Sequence, residues 1–141
     1  MFKATKLIAE KFEDADIKYQ MKEVENASYI EAKFRIDNGP LVIARYISRD
    51  ESNAVAVRVY ELIGKISPEK KDKIVQTANE CNNSYRYFKF IVDESNDLNV
   101  EYDFPVSISD ESVGMVAAEC FIHLMHILDH SYAKFMQALW S

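Results

Sequence analysis

A chain of 141 residues, 48% of them hydrophobic, is long enough for one domain with a real core and too short to divide comfortably into two. Its 17 basic and 23 acidic residues leave a net charge of −6 and a pI near 5.1, so a phosphate backbone meets net repulsion and nucleic acid is not expected as a partner. The opening residues, MFKATKLIAEKF, interrupt every apolar run with a charge; neither a signal-peptide core nor a membrane span is expected, and the chain is read as cytoplasmic.

Taken in order, the first twelve or so residues predict a helix, with Phe2, Leu7, Ile8 and Phe12 on one stripe. Residues 17–24, IKYQMKEV, read as a first extended segment whose blurred alternation keeps it outside the strand count. In 29–36, YIEAKFRI, the residues Ile30, Ala32, Phe34 and Ile36 alternate with Glu31, Lys33 and Arg35, the pattern of a half-buried strand. Asn38-Gly39 then predicts a two-residue type I′ hairpin, because both central positions of that turn need positive φ. The resulting register pairs Ile36 with Leu41, Phe34 with Ile43 and Ile30 with Ile47. It leaves Arg45 as a discordant residue on the apolar side and puts Val42, Ala44 and Tyr46 on the other.

A polar loop is expected at Asp50-Glu51-Ser52-Asn53. The strand 54–62 follows, with Val55, Val57 and Val59 on one face and Arg58 and Tyr60 on the other. Ser67-Pro68 opens a helix, Ser as cap and Pro as first helical residue, that runs to about Asn82. Strands 85–92 and 98–104 are joined by a turn at 94–97; Phe88, Phe90 and Val92 share a face with Leu98, Val100, Tyr102 and Phe104, and Pro105 ends the ladder. A last helix starts after Ser109-Asp110-Glu111 and runs towards Trp140, with a break expected near Asp129–Tyr132. The fold class is therefore α+β: an antiparallel sheet of about five strands with helices packed mainly on one face, in the order α-β-β-β-α-β-β-α. Cys81 and Cys120, far apart and without a CxxC pair, are read as buried reduced thiols.

This order of elements, together with Ser67-Pro68, Asn79-x-x-Asn82, Phe88-Lys89-Phe90 before an acidic turn, Tyr102-Asp103-Phe104-Pro105, and Asp129 with Tyr132 in the last helix, resembles the YbjN family of bacterial sensory transduction regulators. The resemblance covers nearly the whole chain and implies a fold similar to that of type III secretion chaperones. It carries no catalytic residues to this chain.

Three groups of residues are candidates for function. Asn79, Asn82 and Asn83 sit where the middle helix ends, and Asn tolerates the left-handed closure of a helix, so they are read as a structural motif, with Asn82 or Asn83 as the stop and the Asn79 amide offered to the neighbouring strand or loop. His123, His126 and His130 fall with Glu119 on one arc of the last helix, read as its solvated face; His126 and His130, four apart, are the weak alternative of a metal site. Tyr46, Tyr60, Tyr85 and Tyr87 with Arg35 and Arg58 are placed on the second sheet face, and Tyr and Arg are the residues enriched in protein interfaces. There is no Gly-rich phosphate loop and no nucleophile elbow. The acidic pairs Asp14/Asp16, Asp50/Glu51 and Asp110/Glu111 read as solvated loop or helix-start charges. No catalytic residue and no cofactor are assigned. The expected function is a non-enzymatic, chaperone-like regulatory module that binds a protein partner or itself as a homodimer. The alternative is a small ligand- or metal-binding protein, or an enzyme, using the histidine face.

Overall fold

The computed structural model describes residues 1–49, 54–106 and 112–141. Helix α1 (Lys3–Asp14) forms on the stripe of Ile8 and Phe12, both fully buried. It is followed by strands β1 (Tyr19–Val24), β2 (Ala27–Arg35), β3 (Leu41–Ser48) and β4 (Ala54–Ile63), helix α2 (Pro68–Ser84), strands β5 (Lys89–Val92) and β6 (Leu98–Pro105), and helix α3 (Val113–Trp140). The strands form one antiparallel sheet in the order β1-β2-β3-β4-β6-β5. This is the expected α+β architecture with a sixth strand, β1, lying inside the blurred segment 17–24. The strand is an edge and is exposed along nearly all its length, so it has no buried side to impose alternation. The polar loop expected at 50–53 and the helix start expected at 109–111 lie outside the described residues.

The core lies between the helices and one sheet face. Helix α3 crosses that face from Phe34 of β2, whose ring stands 5.5 Å from Phe121, to Phe90 of β5, 4.9 Å from Phe135. Phe12 of α1 packs edge-on to Tyr46 at 5.4 Å and lies 5.9 Å from Phe121. The inner alternants Ile30, Ala32 and Phe34 of β2, Val55, Val57 and Val59 of β4, and Val100 and Phe104 of β6 are all buried, as their spacing predicts.

Strand β3 departs from expectation by one residue. Phe34 pairs with Val42, Ala32 with Ala44 and Ile30 with Tyr46, and the Ile36 N–H donates to the Pro40 carbonyl at 2.9 Å, so the loop is Asp37–Gly39 rather than Asn38-Gly39. Only Asn38 has positive φ, 56°, whereas a type I′ turn needs two such residues. A one-residue slip exchanges the faces of a strand. Here it turns Val42, Ala44 and Tyr46 inward, and sends Arg45 outward to pair with Glu31 at 3.1 Å. Tyr46 is fully buried, and its hydroxyl donates to the Ala117 carbonyl of α3 at 3.0 Å. Both alternating sets of β3 are apolar, so hydrophobic pattern alone does not separate them; the charge of Arg45 and the hydroxyl of Tyr46 do.

The tip of the β2–β3 hairpin rests on α3. The Asp37 N–H donates to the Asp129 carboxylate at 2.8 Å, and a Cβ at Gly39 would stand 3.1 Å from the Tyr132 ring and 2.9 Å from Ile36. Gly39 is therefore required by close approach. No break occurs at Asp129–Tyr132, because α3 is one helix whose residues there hold the hairpin tip. Helix α2 starts as expected at Pro68, although the Ser67 hydroxyl makes no cap bond, and it ends at Ser84, two residues beyond Asn82.

Helices α1 and α3 approach closely at Gly114, where a Cβ would fall 2.7 Å from the Leu7 carbonyl oxygen and 2.8 Å from the Lys11 Cβ. Gly114→Ala is expected to force the two helices apart and to lower the unfolding free energy by about 1–3 kcal/mol, the usual cost of overpacking. Urea denaturation checks this, and an unchanged midpoint would contradict so close a crossing.

Candidate functional site

Two regions gather polar and aromatic side chains. The first is a cleft on the helical side. Val116, Glu119, Cys120 and His123 follow the i, i+3, i+4, i+7 spacing and so share one stripe of α3. Tyr102 of β6 and Tyr87, from the connection between α2 and β5, complete the lining of a cavity of about 380 Å³. Burial pushes the Cys120 thiol up to about 11, with the Glu119 carboxylate adding to the effect, so the thiol stays protonated at neutral pH and is no activated nucleophile. Burial likewise raises the Tyr102 phenol, which remains a neutral donor. His123 is half-buried between the rings of Tyr87, 5.7 Å away and nearly perpendicular, and Phe88 at 6.5 Å; its Nε2 is shut off from solvent and has no hydrogen-bond partner.

The backbone at Tyr87 is strained. Its φ is 73°, and the Phe88 N–H donates to the Arg86 carbonyl at 2.9 Å, closing a three-residue γ-turn centred on Tyr87. This positive-φ turn is rare, and for a bulky side chain it is unfavourable. The ring is nonetheless 56% exposed, so burial does little to stabilise it there.

The second region is the sheet face away from the helices. Glu31, only 6% exposed, stands between Lys22 at 2.5 Å and Arg45 at 3.1 Å. Lys22, aided by Arg45, holds its carboxyl below the ordinary range against the opposing effect of burial. Arg58 pairs with Glu101 at 3.2 Å and with Asp103 at 2.6 Å, and the Arg45 guanidinium lies over the Tyr60 ring, 5.8 Å from its centroid.

Only half of the six expected interface residues share this face: Tyr60, Arg35 and Arg58. Tyr46 belongs to the core because of the register of β3. Tyr85 and Tyr87 precede β5, which begins at Lys89, so strand alternation does not apply to them. Tyr85 packs against the core under the Lys134 ammonium, 5.6 Å from its ring, and Tyr87 lines the cleft.

The asparagines act otherwise than as left-handed stops. Asn82 lies within α2 and its side-chain amide makes two bonds to Phe90 of the edge strand β5, accepting from its N–H at 2.7 Å and donating to its carbonyl at 3.0 Å. Asn83 donates back to the Asn79 carbonyl at 3.0 Å, while Asn79 itself is exposed. The Lys89 ammonium takes up the Asn82 carbonyl at 2.8 Å and so helps to close the helix.

The histidines separate in the same way. His126 and His130 are exposed, and His130 Nδ1 is bonded to the His126 carbonyl at 2.7 Å, whereas His123 belongs to the cleft rather than to a common solvated face. Among the described residues no group of three or more His, Cys, Asp or Glu side chains is arranged to hold a metal, and no helix is long and apolar enough to cross a membrane. Helical spacing brought Glu119 and His123 together in the sequence; Val116 and Cys120 on the same stripe were not singled out with them, and Tyr102 and Tyr87 were not placed opposite, because β6 and the γ-turn meet α3 only in the folded chain.

The family model YbjN, described as a putative bacterial sensory transduction regulator, matches residues 5–126. The chain belongs to the YbjN family. A comparison with curated proteins finds no match. The stretch matched to YbjN includes both Asn82 and the cleft, and stops before Asp129 and Tyr132 at the hairpin tip.

Two outcomes test this geometry. Replacing Tyr87 by Ala and by Gly removes the ring in both variants, so their difference isolates the backbone; the Gly variant is expected to be more stable by about 1 kcal/mol, the reverse of the usual order. Equal stabilities in thermal unfolding would mean that position 87 is unstrained. Because the folded Glu31 carboxyl is held below its ordinary value of 4.5, its ion pairs contribute fully above that pH, and the contribution is lost as pH falls through the folded value. The stability gap between the wild type and Glu31→Gln should therefore stay level from neutral pH to about 4.5 and narrow below it; a gap independent of pH would remove the ion pairs from the account.

Proposed function

We propose that the chain is a non-enzymatic regulatory module of the cytoplasm, a single chaperone-like domain, that works by protein–protein contact and pairs with a second copy through the sheet face opposite its helices. The observation that carries this reading is that the helices gather on one side. The other side presents Leu41, 51% exposed, and Tyr60, 45% exposed, among charged side chains. Apolar anchors within a polar rim are the usual anatomy of an interface.

The two strands that carry these residues lie on either side of the middle of the sheet, Leu41 on β3 and Tyr60 on β4. A two-fold axis parallel to the strands and set over the gap between β3 and β4 lays β3 of one copy across β4 of the other, so that Leu41 and Tyr60 of both copies gather at the centre of one isologous contact.

Sedimentation of the wild type is expected to give a dimer at about 100 μM chain. Leu41→Ser combined with Tyr60→Ser should raise the dissociation constant by about 30-fold or more, equivalent to about 2 kcal/mol, as for truncated interface anchors. The unfolding free energy of the monomer should change by no more than about 1 kcal/mol, since both side chains are exposed. A wild type that stays monomeric would overturn self-association, and a double variant as dimeric as the wild type would overturn the face.

One observation favours a second reading, a small-ligand-binding protein: the partnerless His123 Nε2 beside the cleft.

A further inference from the structure

We propose that the cleft between α3 and the Tyr87–Tyr102 pair binds an alkylammonium group, with His123 Nε2 as hydrogen-bond acceptor, the tyrosine rings as aromatic wall and Glu119 as countercharge. Three independent observations meet at this place. A cavity of about 380 Å³ opens there, a size within the range of small-ligand sites. A buried nitrogen of His123 lacks the partner that nearly every buried polar atom has. Tyr87 is held in a γ-turn that its own exposure does not explain.

The chemistry of the lining selects the ligand. We take His123 as the neutral imidazole protonated on Nδ1; Nε2 then offers only a lone pair, its missing partner is a donor, and an ammonium consists of donors alone. The faces of Tyr87 and Tyr102, whose ring centroids are 5.5 Å apart, attract a cation by their quadrupoles. Glu119 places an exposed carboxylate on the same stripe, and among the described lining residues there is no lysine or arginine to welcome an anion. Val116 supplies apolar surface for an alkyl stem. Tyr87 is the movable wall: leaving the γ-turn relieves its backbone and uncovers Nε2, so strain and binding act in the same direction.

A free amine and the lysine side chain of a polypeptide share this chemistry. The site uses none of the residues of the proposed dimer face, so the two readings stand or fall separately.

The test is an NMR titration of the full chain with n-butylammonium, n-butanol and butyrate, followed at the ring resonances of Tyr87, Tyr102 and His123. Butylammonium is expected to shift all three rings saturably and to bind about tenfold or more tighter than either of the other probes. Glu119→Gln, a change at an exposed position, should weaken butylammonium about threefold or more and leave butanol unaffected. Tyr87→Gly should weaken butylammonium about tenfold by removing one wall. Butanol or butyrate binding as tightly as butylammonium would overturn the assignment, as would ring resonances that do not move or a Glu119→Gln variant with wild-type affinity. A parallel titration with Nα-acetyl-lysine methylamide separates the sources. Tighter binding than butylammonium assigns the site to a polypeptide lysine, and equal or weaker binding assigns it to a free amine; either upholds the ammonium site.

Discussion

The register between β2 and β3 is the constraint on which the rest of the molecule depends. With Ile30 opposite Tyr46, the phenol ring enters the core between α1 and α3 and its hydroxyl reaches the Ala117 carbonyl. The opposite face then receives Arg45 beside Glu31. Any other parity would bury the guanidinium among aliphatic side chains and leave the phenol in water, and burying an unpaired charge is among the most expensive changes a core can suffer. The hairpin tip is locked at the same setting from the far side, where Asp129 accepts the Asp37 N–H. One strand's parity thus decides what α3 packs on and what the outer face offers.

Helix α2 is attached by a different device. Its mean hydropathy is low and few of its side chains are buried, among them Ile74, Ala78 and Cys81, so packing alone is a thin fastening. Asn82 supplements it by presenting to Phe90 the donor and acceptor that a neighbouring strand would have presented. On the next connection the Asp93 carboxylate gathers the N–H groups of Ser95 and Asp97 and the Asn99 amide, which holds its own carboxyl below the ordinary aspartate range. The Asn99 oxygen in turn accepts the Glu61 N–H, where β4 bulges with a φ of 55°. Side-chain amides and carboxylates therefore fix the half of the sheet formed by β5 and β6, directly after the γ-turn at Tyr87.

The legible part of this fold was the part in which only one alternating set is apolar. Strands β2 and β6 show isoleucine, phenylalanine or valine against charge, and β4 shows three valines against a set marked by Arg58 and Tyr60, so their inner faces follow directly from the pattern. Strand β3 offers two apolar sets, Leu41/Ile43/Ile47 and Val42/Ala44/Tyr46, and the Asn-Gly signal pointed to the wrong one because Gly39 serves close packing against Tyr132 instead of turn conformation. Strand β1 carries no strong pattern since neither of its sides is deeply covered. For the cleft, helical spacing brought His123 and Glu119 together, but no local rule places a tyrosine at positive φ, and the separation of His123 from His126 depends on how far β6 and Tyr87 reach around α3. The asparagine cluster was conspicuous in the sequence; that its second member binds a strand rather than ending a helix is a tertiary fact.

The two borders of the sheet are unlike. On β5 the N–H and carbonyl of Phe90 that face the sheet edge are both occupied by Asn82, whereas β1 at the opposite border bears no such plug among the described residues. An unfilled strand edge is a template for another chain, and a molecule with two of them can polymerise without limit. With the β5 border stoppered, each copy is left with one open edge, that of β1, instead of two. A single asparagine side chain thereby acts as a chain terminator for the sheet, and safeguards solubility at a border where the strand itself, KFIV, has almost no charge to offer.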